Sequence, residues 1–164
     1  MSIIERKMAE MGLSLPSPIQ IPEGVEHPLL LVKVSGNHVY VSGHIAQNAD
    51  GTMAMPLGKV GFDLTLDQGK EAARLTALSI LGSLKRELGD LDRIESWLKV
   101  FGMVNSAQGF TDQTAVINGF SSLILEIFGE ERGLATRSAV GMAELPFNVP
   151  VEIEAELKLY DLKL

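Results

Sequence analysis

The chain has 164 residues and no cysteine, which suits one domain with a sizeable core and excludes disulfides, thiol catalysis and thiolate metal sites. A hydrophobic share of 46% is ordinary for a globular protein, while a charged share of 21% is slightly low and fits some apolar surface hidden by self-association. The formal net charge of −7 speaks against nucleic acid as a partner, because non-specific affinity for phosphate backbones comes from Lys and Arg.

The opening MSIIERKMAEMG mixes acids and bases and lacks a long apolar run, so no signal peptide is expected. No later stretch reaches the length of a membrane span. The expectation is a soluble, cytoplasmic protein with no membrane partner. Residues 2–12 predict a short helix, with Ile4, Met8 and Met11 at helical spacing and Gly12 as its stop. Pro16, Pro18, Pro22 and Pro28 follow, and proline both fixes φ and removes a donor. Residues 1–28 therefore read as a helix plus a proline-rich extended arm, and 29–164 as the domain proper. An arm that gates a substrate site is the alternative.

From Leu29 the runs LLLVKV and HVYVSGHIA predict strands, joined through Ser35-Gly36-Asn37 as a hairpin. Val39 and Val41 share one face, and His38, Tyr40 and Ser42 the other. A loop with Asp50-Gly51 and Pro56 comes next. Thr65-Leu66-Asp67-Gln68 has the form of a capping box, in which a hydroxyl and an amide satisfy the first free N–H groups of a helix. Behind it Ala73, Ala77, Leu81, Leu84 and Leu88 trace an apolar stripe, with Gly89 as the stop. Residues 93–105 predict a strand, with Trp97 in the core or an interface. Thr111 is the expected cap of a second helix with the stripe Val116, Phe120, Leu123, Ile124 and Ile127, ending at Gly129. Residues 137–145 and 151–160 predict a closing hairpin through Pro146-Phe147-Asn148. In its last arm Val151, Ile153, Ala155, Leu157 and Leu159 alternate with Glu152, Glu154, Glu156, Lys158 and Tyr160, so one face is buried.

The order ββ-α-β-α-ββ fits several folds, but the residues are more specific. SGNHVYVSGHIA, then GKVG before a capped helix, then ATRSAVGMAELPFNVPVEIEA resemble, in the same order, the RidA/YjgF family over roughly residues 29 to 160. The details GKVG, VNSAQGFTDQ and RSAVGMAELP are similar to a divergent branch of it. The resemblance implies an α+β fold: a six-stranded mixed sheet with two helices packed on one face, as in the trimeric chorismate mutases, assembled as a homotrimer with clefts between subunits. It implies hydrolysis of enamine/imine acids to 2-keto acids and ammonia, without metal or cofactor; other members carry the labels translation inhibitor, endoribonuclease and chaperone. Matched motif to motif, the carboxylate-binding arginine falls on Arg137, the water-associated glutamate on Glu152 and the helix asparagine on Asn118. The cleft-lining strand end falls on Ser42-Gly43-His44, with Gly43 and His44 as ligand contacts. Ala139 stands in the substrate site where many deaminases carry cysteine, and the tyrosine expected early in the domain has no counterpart in VEHPLLLV.

A closing hairpin with Ala143 near Glu152 and Met142 near Ile153 puts Arg137, Ala139, Gly141 and Ala143 on the face of Glu152, Glu154 and Glu156. In that register Arg137 and Glu152 lie roughly 20 Å apart at strand rise, so only a subunit boundary brings them together. A guanidinium fork matches a carboxylate through two parallel hydrogen bonds. Glu152 is then positioned to hold or deprotonate a water. His27, His38 and His44 lack metal-ligand spacing, so no metal is expected. Three readings follow: a cofactor-independent enamine/imine deaminase acting on a small carboxylate metabolite; a noncatalytic module binding or sensing such an acid; and, disfavoured by charge, an endoribonuclease.

Overall fold

A computed structural model describes residues 2–161 of the chain. Helix α1 (Ile3–Glu10) precedes strands β1 (Val32–Ser35) and β2 (His38–Ile45). Then come α2 (Leu66–Leu88), β3 (Ile94–Asn105), α3 (Gln113–Gly133), β4 (Thr136–Met142) and β5 (Val151–Leu159). The strands form one mixed sheet in the order β1-β2-β5-β3-β4. The described residues thus give five strands and three helices, not the six strands and two helices implied by the resemblance. The stretch between β2 and α2 makes only isolated bridges, such as Gln47 with Met53. Pro56 there has no N–H to donate, and Gly51, Gly58 and Gly61 take positive φ, which fits the absence of a strand in this stretch.

Helix α2 forms as its sequence dictates. Thr65 accepts from the Gln68 N–H, the Gln68 side chain accepts from the Thr65 N–H, and Gly89 closes the helix in the left-handed region. All five residues of the expected α2 stripe are buried. Helix α3 starts one residue later than expected: Asp112 is the N-cap and makes no side-chain cap, while Gln113 donates to the Phe110 carbonyl at 2.7 Å. Thr111 therefore caps nothing. At Gly129 (φ 76°) the helical geometry breaks, and a last turn carries on to Gly133.

Burial alternates along β5, where Val151, Ile153, Ala155, Leu157 and Leu159 face the helices. The glutamates face the other way. The expected closing hairpin does not form. Strand β5 is antiparallel to both β2 and β3, and β4 is parallel to β3 on the far edge. The reason is topological. Helix α3 carries the chain back along the helix face, so β4 re-enters parallel to β3. Strand β5, the more regularly apolar of the two, then takes the central place where both backbone edges are paired. Residues 143–150 cross the end of β3 through a turn with left-handed Phe147 and Asn148 (φ 56° and 58°). Beneath that turn Asn105, 1% exposed, donates to Asn148 Oδ1 and accepts from Lys59 Nζ, each at 3.0 Å.

The N-terminal segment is clasped to this body. Asp92 accepts from the Ile3 and Ile4 N–H groups at 2.6 and 3.0 Å, and Glu5 pairs with Lys85. Ile4 and Met8 enter the main core, whereas Met11 is exposed. Residues 13–31 form neither helix nor strand and turn once at Glu23-Gly24, and Ser17 and Gln20 donate backbone hydrogen bonds to the Ala49 and Gly51 carbonyls. Among the described residues no helix is long and apolar enough to cross a membrane.

Candidate functional site

The matched residues fall into two groups. The first sits where β4 meets α3. Arg137 pairs across the ladder with Val100, a buried helix-facing residue, so its side chain rises on the helix side of the sheet. There Nη1 donates to Asn118 Oδ1 at 2.9 Å and to Ser121 Oγ at 3.0 Å. Asn118 and Ser121 are three residues apart on α3 and so share a face. Sequence reasoning reached Arg137 and Asn118 but missed Ser121; that spacing was the available signal. Among the described residues Arg137 has no carboxylate partner, and its Nε and Nη2 make no hydrogen bond. Ala139, two residues on, packs against the core opposite Gly102.

The second group lies on the opposite, helix-free face. Glu152 pairs with Met103 on β3 and Ile45 on β2. Its carboxylate lies against Gly43: a Cβ built there would stand 1.9 Å from Glu152 Oε1. Glycine at this position is therefore a condition for the carboxylate's placement. Burial, and next the Glu154 charge, push the Glu152 carboxyl above the usual carboxylate range.

Between Val41 and His44 the β2–β5 register shifts, so three steps on β2 match two on β5 and Ser42-Gly43 form a bulge. The bulge turns His44 inward, opposite the buried Ile153, to 4% exposure. Its Nδ1 lies 2.6 Å from the Ser42 carbonyl, which only accepts, so Nδ1 carries the proton. Nε2 then accepts from the Ser83 hydroxyl at 2.9 Å, and Arg86 donates to Ser83 Oγ and to the Pro16 carbonyl. Burial holds the His44 pKa down at about 4, the Ser42 carbonyl pulls it up and the Arg86 charge lowers it. His44 thus braces the bulge from behind, away from the open face.

Arg137 and Glu152 are separated by two strand spacings and three residues of register, roughly 14 Å between Cα atoms. They occupy opposite faces of the sheet, not the same face as a closing hairpin required. Within one protomer they do not meet. Among the described residues no group of three or more His, Asp or Glu is placed to hold a metal ion.

Residues 5–153 match the family described as "YjgF/chorismate mutase-like, putative endoribonuclease". The chain belongs to the RidA/YjgF family. It is 43% identical over 125 residues to Protein TCP17 of Trypanosoma cruzi, spanning 76% of this chain and 77% of that one. The crystal structure of Atu1372 from Agrobacterium tumefaciens, 38% identical, superposes with a TM-score of 0.84 over 96% of this chain and 94% of the other. E. coli TdcF, solved with bound serine, shares the fold at 20% identity and a TM-score of 0.57, over 88% of this chain and 99% of its own. In this RidA/YjgF chain the arginine, the helix asparagine and a second helix hydroxyl form one cluster, and the glycine strand end and the glutamate form another.

Proposed function

We propose that the protein is a homotrimer that binds small 2-imino and 2-keto acids in clefts between subunits, Arg137 of one copy taking the carboxylate and Glu152 of a neighbouring copy facing the reacting carbon. One observation carries this reading. Arg137 is oriented by two neutral side chains through a single nitrogen, which leaves the other edge of its guanidinium directed at no protein carboxylate. A fork held in advance by neutral partners loses little entropy on binding an acid. The opposed faces of Arg137 and Glu152 give the second support, since a joint site for them requires another copy.

The chemistry then needs only water. Bound imine hydrolysis adds water oxygen to the imine carbon, the C–N bond breaks, and ammonia and a 2-keto acid leave. Glu152, its pKa raised by burial, accepts one proton from the attacking water and passes it to nitrogen. It then relays the hydroxyl proton of the resulting carbinolamine to the same nitrogen as the C–N bond breaks. Keto-acid formation from freshly generated 2-iminopropionate, compared between wild type and Arg137→Ala, tests the proposal. A large loss in the variant is expected, and equal rates would remove the enzyme reading. Light scattering at three times the chain mass tests the assembly.

A noncatalytic acid-binding module is the second reading, favoured by Ala139, which brings no reactive atom to the Arg137 strand. Calorimetric binding of 2-keto acids without imine turnover would select it. RNA cleavage, named in the family description, has little cationic surface to draw on at a net charge of −7. Cleavage that survives purification and disappears in Arg137→Ala would reinstate it.

A further inference from the structure

The groove beside Arg137 is not uniformly polar. It runs between α3 and the start of β4, encloses about 190 Å³, and is walled by Val100, Phe120, Ile124, Leu125, Leu134 and Ala135. Its polar side chains are Ser121 and Arg137, which hydrogen-bond each other at 3.0 Å. Leu134 is 62% exposed, a large apolar side chain beside a cation. A carboxylate alone would leave this wall unused.

We propose that this groove is a side-chain subsite, so that the protein selects 2-imino or 2-keto acids bearing an apolar side chain of about four carbons over those bearing a methyl group. The inference rests on the reading of Arg137 as the carboxylate partner and adds the ligand's other end. At about 30 Å³ per water-sized group the groove holds roughly six such groups. A carboxylate at the Arg137 end therefore leaves space for a branched chain along Ile124, Leu125 and Leu134, whereas a methyl group leaves most of the wall wet. Each methylene moved from water to such a wall raises affinity about fourfold, equivalent to about 0.8 kcal/mol. The expected advantage of an isobutyl over a methyl side chain is therefore tenfold or more.

Isothermal calorimetry on the full chain reads this directly, with 2-oxopropanoate, 2-oxobutanoate and 4-methyl-2-oxopentanoate as probes. Affinity should climb through the series. Leu134→Ala should remove several-fold of the gain for the longest acid while leaving 2-oxopropanoate unchanged. Leu134 is exposed enough for the variant to fold, and Leu125→Ala removes a contact from the facing helix as a second case. A flat or falling series, with binding still abolished by Arg137→Ala, overturns the subsite and leaves the carboxylate reading standing. Binding that climbs with length but ignores both leucine variants overturns it too. Binding indifferent to Arg137→Ala overturns both.

Discussion

Acidification is expected to destabilise this protein through one buried imidazole. His44 is neutral in the folded state, with its single proton committed to the Ser42 carbonyl and its other nitrogen accepting from Ser83. A second proton would face the Ser83 hydroxyl, whose oxygen already accepts from Arg86. The folded pKa of about 4 lies below the ordinary value of 6.5. Between those values the unfolded chain binds a proton that the folded chain refuses, so stability is full above pH 6.5 and declines as the pH falls toward 4. At about 1.4 kcal/mol per pKa unit the loss amounts to about 3 kcal/mol. Urea unfolding of wild type and His44→Gln, at pH 7 and at pH 4, measures it. The variant cannot take up the proton, so the stability difference between the two proteins should shift by about 3 kcal/mol in favour of His44→Gln on going to pH 4. Glu152 titrates in both proteins and cancels from the comparison. If the two pH profiles run parallel, the tautomer assignment and the argument built on it are wrong.

Gly43→Ala should retain the fold with a loss of about 1 kcal/mol or less, because the Cβ meets the mobile end of Glu152 rather than backbone. Imine turnover should nonetheless fall about 100-fold, the usual scale for a displacement of an ångström at a reacting group; full turnover would discharge Glu152 from the chemistry. Glu152→Gln should raise Tm at pH 7, since a carboxyl whose folded pKa is raised costs stability once ionised, and the advantage should fade below pH 4.5. Scanning calorimetry across that range reads the effect, and a Tm below wild type at pH 7 contradicts it. Asp92→Ala removes the acceptor for two N–H groups at the start of α1 and should cost about 1 kcal/mol. Hydrogen exchange should quicken in α1 first; uniform protection would show that Ile4 and Met8 hold the helix unaided.

The sequence makes α2 and β5 plain because each carries its information locally. A capping box, a stripe and a terminal glycine define the one, and strict alternation defines the other. Alternation names the buried face of a strand but not its neighbours, which is why β5 read as the partner of β4. The regular alternation of β5 against the irregular pattern of β4 is present in the sequence and matches centre against edge, but it does not say which strands flank β5. In the site, Arg137 and Asn118 could be found by motif, and the contact between them follows from the return path of α3. The Ser42-Gly43 bulge was invisible. A regular strand would keep His44 on the side of Tyr40 and Ser42, and one extra residue turns it to the interior.

The central position of β5 also governs how the sheet is made. Until residues 151–159 have been synthesised and released, the β1–β2 ribbon and the β3–β4 pair have no strand to join them. Their facing edges, with unpaired backbone groups, stay open to any extended chain nearby. A chain of this topology thus completes its main long-range pairing only when β5 enters between those two half-sheets, after the other four strands are in place to receive it.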